Sequence, residues 1–547
     1  MVSPSSRTST RSFRCVLLAL LVVAGVWRAG MAAALPVISR DGVVFCAYAR
    51  ALDAQGWAYL RTPETRQHPL FPALILAVRR AAGGLGAPDT PMTWQHSGQV
   101  VSWTAGMAVI ALTGLLTARF IRRLQLPVHE HSTVLLAMLL AAVLDQNVWL
   151  SADVMSDQVH LAFYLAAACL LLKLESAPTA LGVGLLAGLA FLTRPEGLMP
   201  VIGGLAVLAT QRKRIAWRPL AGRAALLLLG FVVCALPYWL AVGRLSAKKD
   251  PRDWLPRENA AAVRNCAAAV NRAPVADEDG DASPGTALAR LTTVDLRWYQ
   301  VAPFALYKLL RAGRVIVVLL AVLPLINLRR RLLGPELIGV STCAAGHFAL
   351  TLILLSHYGY LDPRHTLVIV MLLMPPAALF LGRVLHLLRQ RGQTWLSVLV
   401  LTACVLPLAA YAARVPNRQD RFLADATHWL TAHDPNLQSK RLVGGSSTRR
   451  IAFYADMRWD QWFEDPNDVR SLRAQLLGGG PGYFAVEVDP AGSGRKDSER
   501  AGSREMVEHL LADAEIAAHM RLVHTETGPN GSELQLFEFL PAPTTLP

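Results

Sequence analysis

The sequence predicts a mainly α-helical, polytopic membrane protein that carries a small α/β domain at its carboxyl end. Of its 547 residues, 53% are hydrophobic and only 17% are charged, and the mean hydropathy is +0.35. Soluble globular proteins carry about 25% charged residues. Apolar runs of about 17–22 residues, each long enough to cross the hydrocarbon core of a bilayer, recur from residue 15 to residue 411. These observations exclude a soluble enzyme, a disordered chain and a fibrous protein.

The apolar runs predict a transmembrane bundle of about eleven helices. Except for Arg79-Arg80, every basic cluster then falls on one side of the membrane, as the positive-inside rule requires. This arrangement places the amino terminus in the cytoplasm and residues 414–547 outside. The predicted spans are 15–34, 99–120, 132–150, 158–174, 179–193, 197–210, 220–242, 315–328, 337–355, 366–388 and 394–413.

Two domains follow from this pattern. Residues 1–413 form the membrane domain, with outer loops at 36–98 and 243–311, and residues 414–547 form an extracytoplasmic α/β domain. Within the first loop, the apolar piece 68–78 is too short to span and is expected at the interface or as a re-entrant helix. In the carboxyl-terminal domain, strands are expected at 442–444, 483–488 and 534–539, and helices at 466–477 and 504–511.

The net charge of +15 lies in the membrane domain, because residues 414–547 hold more acidic than basic side chains. Basic loops of a membrane protein orient its helices and contact lipid head groups, so nucleic acid is not an expected partner. The seven cysteines form no zinc-like spacing. No cofactor is predicted with certainty: a divalent metal is compatible with the sequence, but no ligand pattern in it supports one.

Charged residues near the membrane core are functional candidates by default, because burying a charge in lipid is costly. Here they collect at the predicted outer ends of the helices. The set comprises Asp41, Asp153, Asp157, Arg194, Glu196, Asp362, Arg364 and His365. Carboxylates and arginines that converge at one membrane face can hold an anionic head group and place a base beside it.

Arg194 precedes Pro195, which disfavours helical backbone at the preceding residue, so the fifth span should end at Arg194. A guanidinium at that rim suits a phosphate, which it can bind bidentately. The alternative is an arginine that extends to lipid phosphates with Glu196 as an exposed partner. Residue types alone do not decide between these two interpretations.

Three segments resemble the C-type glycosyltransferases, the integral-membrane enzymes that include protein O-mannosyltransferases and the aminoarabinose transferase of lipid A. Ser39-Arg40-Asp41-Gly42, followed by the sequence HPLFP at 68–72, is similar to the first outer loop of that family. The sequence GLLAGLAFLTRPEG at 184–197 resembles its helix-end motif with a basic residue. The sequence DPRHT at 362–366 resembles a later segment that enters a helix. The resemblance covers about residues 15–413.

The resemblance implies a polyprenyl-phosphate-linked sugar as donor, and as acceptor a hydroxyl of a glycan, lipid or protein on the outer side. Asp41 matches the family's catalytic base, and Arg194 and Arg364 match basic residues that contact the lipid phosphate. Asp157 matches a further acidic position. Asp41 is followed by Gly42 rather than a second acid, and His68 replaces the residues usual before the proline pair. The expected substrate-binding residues are Arg194, Arg364, Asp157, His68 and Glu196.

The chemistry of a phosphate leaving group is consistent with one carboxylate and two arginines as the reacting set. Glycoside hydrolysis needs two carboxylates, whereas a lipid phosphate leaves readily if arginines neutralise its growing charge. One carboxylate then suffices to take the acceptor proton. The expected location is the cell membrane, in bacteria the inner membrane. A transporter or lipid flippase is the main alternative, and a non-catalytic assembly subunit or sensor is the third.

Overall fold

The computed structural model describes the following parts of the chain: residues 4–62, 67–212, 215–245, 298–358, 361–415, 420–445, 447–461, 469–478, 480–488, 501–528 and 531–540. Most of the predicted outer loop 243–311 lies outside these ranges.

Ten α-helices make up the first half of the described chain, which is the part that holds the first two sequence motifs. Short 3₁₀ helices at Gly56–Arg61 and Pro195–Leu198 interrupt them. The helices are α1 (Pro4–Ala33), α2 (Arg40–Gln55), α3 (Leu70–Gly84), α4 (Pro91–Leu124), α5 (Glu130–Val143), α6 (Asp145–Ala152), α7 (Ser156–Leu171), α8 (Ala177–Phe191), α9 (Met199–Gln211) and α10 (Trp217–Val242).

Five further helices complete the membrane part: α11 (Trp298–Ala312), α12 (Ile316–Leu332), α13 (Ile338–Tyr358), α14 (Leu367–Gln390) and α15 (Thr394–Ala412). A 3₁₀ turn, Pro363–Thr366, leads into α14. Within the described residues, six helices are long and apolar enough to cross a membrane, or up to eight spans if each of two bent pairs counts as one. The protein is therefore a multi-pass membrane protein.

Each of the predicted spans coincides with a helix or a bent helix pair, which confirms the mainly α-helical bundle. Among the described residues, the number of helices long enough to span is smaller than the eleven predicted, because several of the helices are short. The spans at 158–174 and 179–193 correspond to α7 and α8, which are short apolar helices of 16 and 15 residues. The piece 68–78 is part of α3, which packs beside α2 and α4. The first outer loop is thus helical, because α2 and α3 bury apolar faces against α4.

Two helix breaks face each other within the bundle. The pair α5 and α6 bends by 59° and the pair α11 and α12 by 111°. Arg314, at the second break, donates to the fully buried Asp145, at the first, over 2.5 Å. The guanidinium of Arg314 also lies 3.3 Å from the ring centroid of Tyr411. Each of these two charges therefore has a partner, which offsets part of the cost of burying it.

Glycines allow a close helix contact between α8 and α10. A side chain at Gly184 would overlap the backbone carbonyl oxygen of Leu227, and one at Gly188 would meet Cys234 and the carbonyl oxygen of Phe231. Small residues let the backbones approach in this way and hold α8 in place. Arg194 follows directly after α8, so this contact also fixes the position of that arginine.

We expect Gly184→Ala to lower the stability of the protein by about 1–3 kcal/mol, because the added methyl group forces α8 away from the α10 backbone. The apparent Tm of the purified protein in detergent measures this. Gly222→Ala on α10 is the matched control, since a side chain there meets no atom within 4 Å. An unchanged Tm for Gly184→Ala would show that the two helices can separate at no cost.

The carboxyl-terminal part contains a mixed five-stranded sheet. Its strands are β1 (Arg441–Gly444), β2 (Arg458–Gln461), β3 (Gly482–Val488), β4 (Met520–Thr527) and β5 (Glu533–Phe539), in the order β2-β1-β3-β5-β4. The strand β1 pairs in parallel with β2 and β3, and β5 is antiparallel to β3 and β4. The helices are α16 (Arg421–His433), α17 (Arg449–Tyr454), α18 (Val469–Gly478), α19 (Ala501–Ala512) and α20 (Ala514–His519).

Helices cover both faces of this sheet. In β1, Leu442 packs on the side of α16 and α17, whereas Val443 packs on the side of α18, α19 and α20. The small α/β fold is therefore confirmed, and three of its five strands lie where the sequence predicts them. The strands β2 and β4 and the helices α16, α17 and α20 were not predicted. The boundary at residue 414 remains a prediction.

Candidate functional site

The site begins with Asp41, in the first turn of α2. Ser39 caps this helix, because its hydroxyl oxygen accepts a hydrogen bond from the backbone nitrogen of Gly42 at 3.1 Å. An acidic side chain in a first turn is favoured by the helix dipole. Asp41 keeps about a third of its side chain exposed, at 31%. It is thus positioned by a helix start and accessible to a substrate.

Asp153 holds the cap of α2 in place. Its carboxylate accepts from the backbone nitrogen of Ser39 at 3.1 Å and from that of Val154 at 2.7 Å, and the residue is buried. Both of its oxygens serve backbone donors, so its described contacts are structural. Asp157, four residues later, contacts the side chain of Arg194 instead, although both aspartates lie in the same predicted outer loop.

Arg364 closes the Asp41 side of the site. It lies in the 3₁₀ turn before α14, where the Asp362 carboxylate accepts from its backbone nitrogen at 2.9 Å. Its guanidinium donates to Asp41 through Nη2 over 2.8 Å. Two motifs separated by most of the chain therefore meet in one ion pair.

Arg194 forms the second charged group of the site. Its backbone is extended, with φ −154° and ψ 142°, as the following proline predicts, and α8 ends just before it at Phe191. The guanidinium contacts Asp157 at 2.5 Å and Glu196 at 3.3 Å. Burial disfavours its charge, but these two carboxylates hold the pKa of Arg194 above its ordinary value.

Glu196 is buried together with Arg194, so the interpretation of an arginine that extends to lipid with an exposed glutamate partner is wrong. Both side chains line a narrow cavity at this end of the bundle. Its lining residues are Asp157, His160, Leu161, Arg194, Glu196, His347, Arg364, His365, Leu367 and Val368. The structure thus brings Asp41, Asp157, Arg194, Glu196 and Arg364 together.

Of the five expected substrate-binding residues, His68 is the one that does not line this cavity. It is buried, and its ring centroid lies 5.2 Å from those of Phe191 and Tyr238. The contact with Phe191 places it against the end of α8. Its substrate-binding role remains a prediction, and its described contacts are those of a packing residue near Arg194.

Two histidines of the cavity were not predicted. His160 Nδ1 contacts the carbonyl oxygen of Ala190 at 3.2 Å, and His347 Nε2 contacts that of His365 at 2.8 Å. Each imidazole therefore fixes the backbone next to one of the two arginines. Both lie within apolar runs, and a polar residue inside such a run is the signal that would have found them.

The carboxyl-terminal part also contacts the site's first segment. The hydroxyl of Tyr454, in α17, accepts from the backbone nitrogen of Ile38 at 2.9 Å and donates to Gln95. Asp456 forms an ion pair with Arg50 of α2 at 2.8 Å. The segment that leads to Asp41 is therefore held from one side by Asp153 and from the other by Tyr454.

We expect Asp153→Ala to lower the stability of the protein by about 1–3 kcal/mol, because the buried backbone donors of Ser39 and Val154 lose their acceptor. The apparent Tm in detergent measures the loss. Asp425→Ala is the control: its ion pair with Arg421 is exposed, so its removal should shift stability by less than about 0.5 kcal/mol. Equal Tm values for the two variants would contradict the structural role of Asp153.

The fold and the site geometry can be compared with known proteins. No family model matches the chain, and no curated protein matches it in sequence. Solved structures do match. ArnT from Cupriavidus metallidurans bound to undecaprenyl phosphate is similar over 96% of this chain and 99% of its own, with 12% identity and a TM-score of 0.59.

The chain has the fold of the C-type glycosyltransferases. That fold is shared with AglB from Archaeoglobus fulgidus, an oligosaccharyltransferase in complex with an inhibitory peptide and a dolichol-phosphate. The match covers 97% of this chain and 74% of AglB, with 12% identity and a TM-score of 0.57. The resemblance indicated by the sequence motifs is confirmed at the level of the C-type glycosyltransferase fold.

A metal site would need several side-chain ligands close together. Among the residues that the structure describes, no group of three or more His, Cys, Asp or Glu side chains is placed to hold a metal ion. The carboxylates of the site are committed to arginines, as in the Asp41–Arg364 and Asp157–Arg194 pairs. Each of these two arginines therefore has a carboxylate partner in the structure.

Proposed function

We propose that the protein is an integral-membrane glycosyltransferase that moves a sugar from a polyprenyl-phosphate donor to a hydroxyl acceptor on the extracytoplasmic side. The observation that carries the proposal is the contact of Asp41 with Arg364 beside the buried Arg194. A carboxylate that can take a proton thus adjoins two guanidinium groups that can bind a phosphate. The solved structures of similar fold that hold undecaprenyl phosphate and dolichol-phosphate support the choice of donor.

The proposed step is a direct displacement at the anomeric carbon. The acceptor oxygen attacks this carbon while its proton passes to the Asp41 carboxylate, and the bond to the phosphate oxygen breaks. The electron pair leaves with the polyprenyl phosphate, whose added charge Arg194 and Arg364 neutralise. The displacement inverts the anomeric centre, and one carboxylate suffices because a phosphate needs no general acid in order to leave.

The donor phosphate would compete with the carboxylates for the arginines. Arg364 is the easier of the two to recruit, since its side chain is 23% exposed, whereas that of Arg194 is 10% exposed and holds two acids. A phosphate at Arg364 would release Asp41 from its ion pair. Donor binding would thereby free the Asp41 carboxylate to act as base, so the donor would bind before the acceptor is deprotonated.

The experiment is the incubation of purified full-length protein with a panel of polyprenyl-phosphate sugars, with consumption of the donor measured. Released polyprenyl phosphate together with a glycosylated acceptor supports the proposal. Asp41→Asn is the matched control for catalysis. Intact donor with every sugar, under conditions in which the protein binds polyprenyl phosphate, contradicts it.

The alternative is a transporter or lipid flippase, which the helix breaks at Asp145 and Arg314 would suit, since transporters place broken helices at the bilayer midplane. These two charges pair with each other, and the other charged candidates gather at one end of the bundle. Vesicles that contain the protein distinguish the two functions: movement of the donor across the bilayer with no chemical change favours the flippase.

The side of the membrane follows from the charge pattern and has its own test. We expect reporter fusions after Arg123, Arg214, Arg331 and Arg391 to report the cytoplasm, because basic clusters stay inside. A fusion near Ser493, in the carboxyl-terminal domain, should report the outside. A cytoplasmic signal there would move the proposed site to the other face of the membrane and contradict an extracytoplasmic acceptor.

A further inference from the structure

A second, much larger cavity lies at the opposite end of the bundle from the candidate site. It measures about 1100 Å³ and lies among α1, α5, α12, α14 and α15. The candidate site uses Arg364 at the start of the segment Pro363–Gln390, whereas this cavity uses Arg383 and Arg389 near its end. The two arginines Arg364 and Arg383 are about 28 Å apart along that helix, at 1.5 Å per residue.

The cavity has apolar walls and a basic end. Most of its lining is aliphatic, and its ionisable lining residues are His129, Arg383, His386 and Arg389; none of the described residues that line it is acidic. Arg383, His386 and Arg389 follow each other at intervals of three along the last turns of α14, which places them on neighbouring positions of one side. His129 lies opposite, with its ring centroid 5.2 Å from that of His386.

The two arginines are available to a ligand. Both side chains are exposed, and neither forms an ion pair with another residue that the structure describes. This contrasts with Arg122 and Arg123 at the same end of the bundle, which pair with Glu130 and Glu175. A positive field therefore faces this end of the cavity without an acidic side chain of the cavity wall to neutralise it.

We propose that this cavity binds an anionic phospholipid of the cytoplasmic leaflet, with its phosphate at Arg383 and Arg389 and its acyl chain along the aliphatic walls. The volume exceeds the range of about 300–1000 Å³ typical of small-molecule sites, as a lipid chain requires. Basic pockets between transmembrane helices at the cytoplasmic side are suited to anionic head groups. The basic clusters of the sequence place this end of the bundle in the cytoplasm.

The donor of the proposed reaction fits this cavity less well. Its phosphate is assigned to Arg194 and Arg364, about 28 Å away at the other end of α14. One lipid cannot place a single phosphate at both ends. The lipid site therefore stands apart from the proposed function, and it holds whether or not the protein transfers sugar.

The test is a lipid titration of the delipidated full-length protein in detergent, followed by native mass spectrometry. The probes are phosphatidylglycerol, phosphatidylcholine with the same acyl chains, and undecaprenyl phosphate. We expect tighter binding of phosphatidylglycerol than of phosphatidylcholine. The double variant Arg383→Gln with Arg389→Gln should weaken phosphatidylglycerol binding by about 25-fold, at about fivefold per arginine, and leave phosphatidylcholine binding unchanged.

Two further variants make the result specific. Arg329→Gln with Arg330→Gln removes two exposed charges from the end of α12 that do not line the cavity, so it should leave binding unchanged. Ser132→Trp fills the cavity from an exposed position of α5 without a change in charge, and it should weaken binding of both phospholipids.

The following results overturn the proposal: equal binding of the two phospholipids, full binding by the Arg383/Arg389 variant, or an equal loss in the Arg329/Arg330 control. Stronger binding of undecaprenyl phosphate than of phosphatidylglycerol, lost in the Arg383/Arg389 variant, would assign the cavity to the donor lipid instead. Because binding is read without any sugar transfer, failure here is distinct from failure of the proposed reaction.

Discussion

Replacement of Asp41 by asparagine should lower the rate of sugar transfer by about 10²–10⁴-fold, the usual cost of losing a general base. Asparagine keeps an oxygen that can accept the hydrogen bond of Arg364, so the start of α2 should keep its geometry. It cannot take a proton from the acceptor. The measurement is the initial rate at saturating donor, with apparent Tm and donor affinity determined on the same preparation. The Tm should stay close to that of the unchanged protein, and donor binding should be no weaker, because the amide competes less with the phosphate for Arg364.

The other two acids of this region provide the controls for Asp41. Asp157→Asn weakens one partner of Arg194 and should mainly change donor affinity, since Asp157 forms an ion pair with that arginine. Asp153→Asn should mainly change stability, since both its oxygens serve backbone donors. Near-normal transfer by Asp41→Asn beside an inactive Asp157→Asn would reassign the base to the segment after α6.

The fold was largely accessible from the sequence because two local signals decide it. The length of an apolar run predicts a helix, and the basic clusters predict which end of it faces the cytoplasm. The helix breaks were not predicted: the first falls at Asp145, inside the predicted span 132–150, and the second at Arg314, at the edge of the predicted span 315–328. The break before Asp145 is stabilised by Arg314, far along the chain, and the pairing depends on tertiary structure that no local pattern encodes.

The strands of the carboxyl-terminal sheet were also predicted only where a local sequence signal marks them. The strands β1 and β3 and the strand β5 carry buried aliphatic or aromatic residues that mark them in the sequence. By contrast, β2 and β4 carry polar residues. The sequence of β2 is RWDQ, and β4 alternates only weakly between buried and exposed positions. They lie at the two edges of the sheet, where one side of each strand is unpaired, so the apolar signal is faint.

In the candidate site, the sequence predicted most of the residues but not the contacts between them. Asp41, Asp157, Arg194, Glu196 and Arg364 were predicted as charged residues at helix ends, and the structure brings them together. Their pairing was not predicted, because the partners come from four separate segments of the chain. His68 was proposed from its place beside a proline pair; it packs against aromatic rings, and its substrate-binding role remains a prediction. The aromatic rings around His68 belong to α8 and α10, which are distant in sequence, so the residues next to His68 could not predict them.

Loss of Arg194 has the second large expected effect. Arg194→Ala should weaken donor binding by about 10–100-fold, because a hydrogen bond to a charged group contributes about 1.5–3 kcal/mol. Arg194→Lys should retain part of the affinity, since a point charge remains but the bidentate grip on a phosphate is lost. The measurement is equilibrium binding of undecaprenyl phosphate to the purified variants in detergent.

The same substitution also removes the partner of two buried acids, so affinity must be separated from stability. Arg194→Ala leaves Asp157 and Glu196 as like charges in a buried site, which destabilises the fold. Combining it with Asp157→Asn and Glu196→Gln removes that repulsion and should restore the apparent Tm. If the stable triple variant still binds undecaprenyl phosphate weakly, the arginine contacts the donor phosphate. If its affinity returns to that of the unchanged protein, Arg194 only neutralises the two carboxylates and the phosphate is held elsewhere.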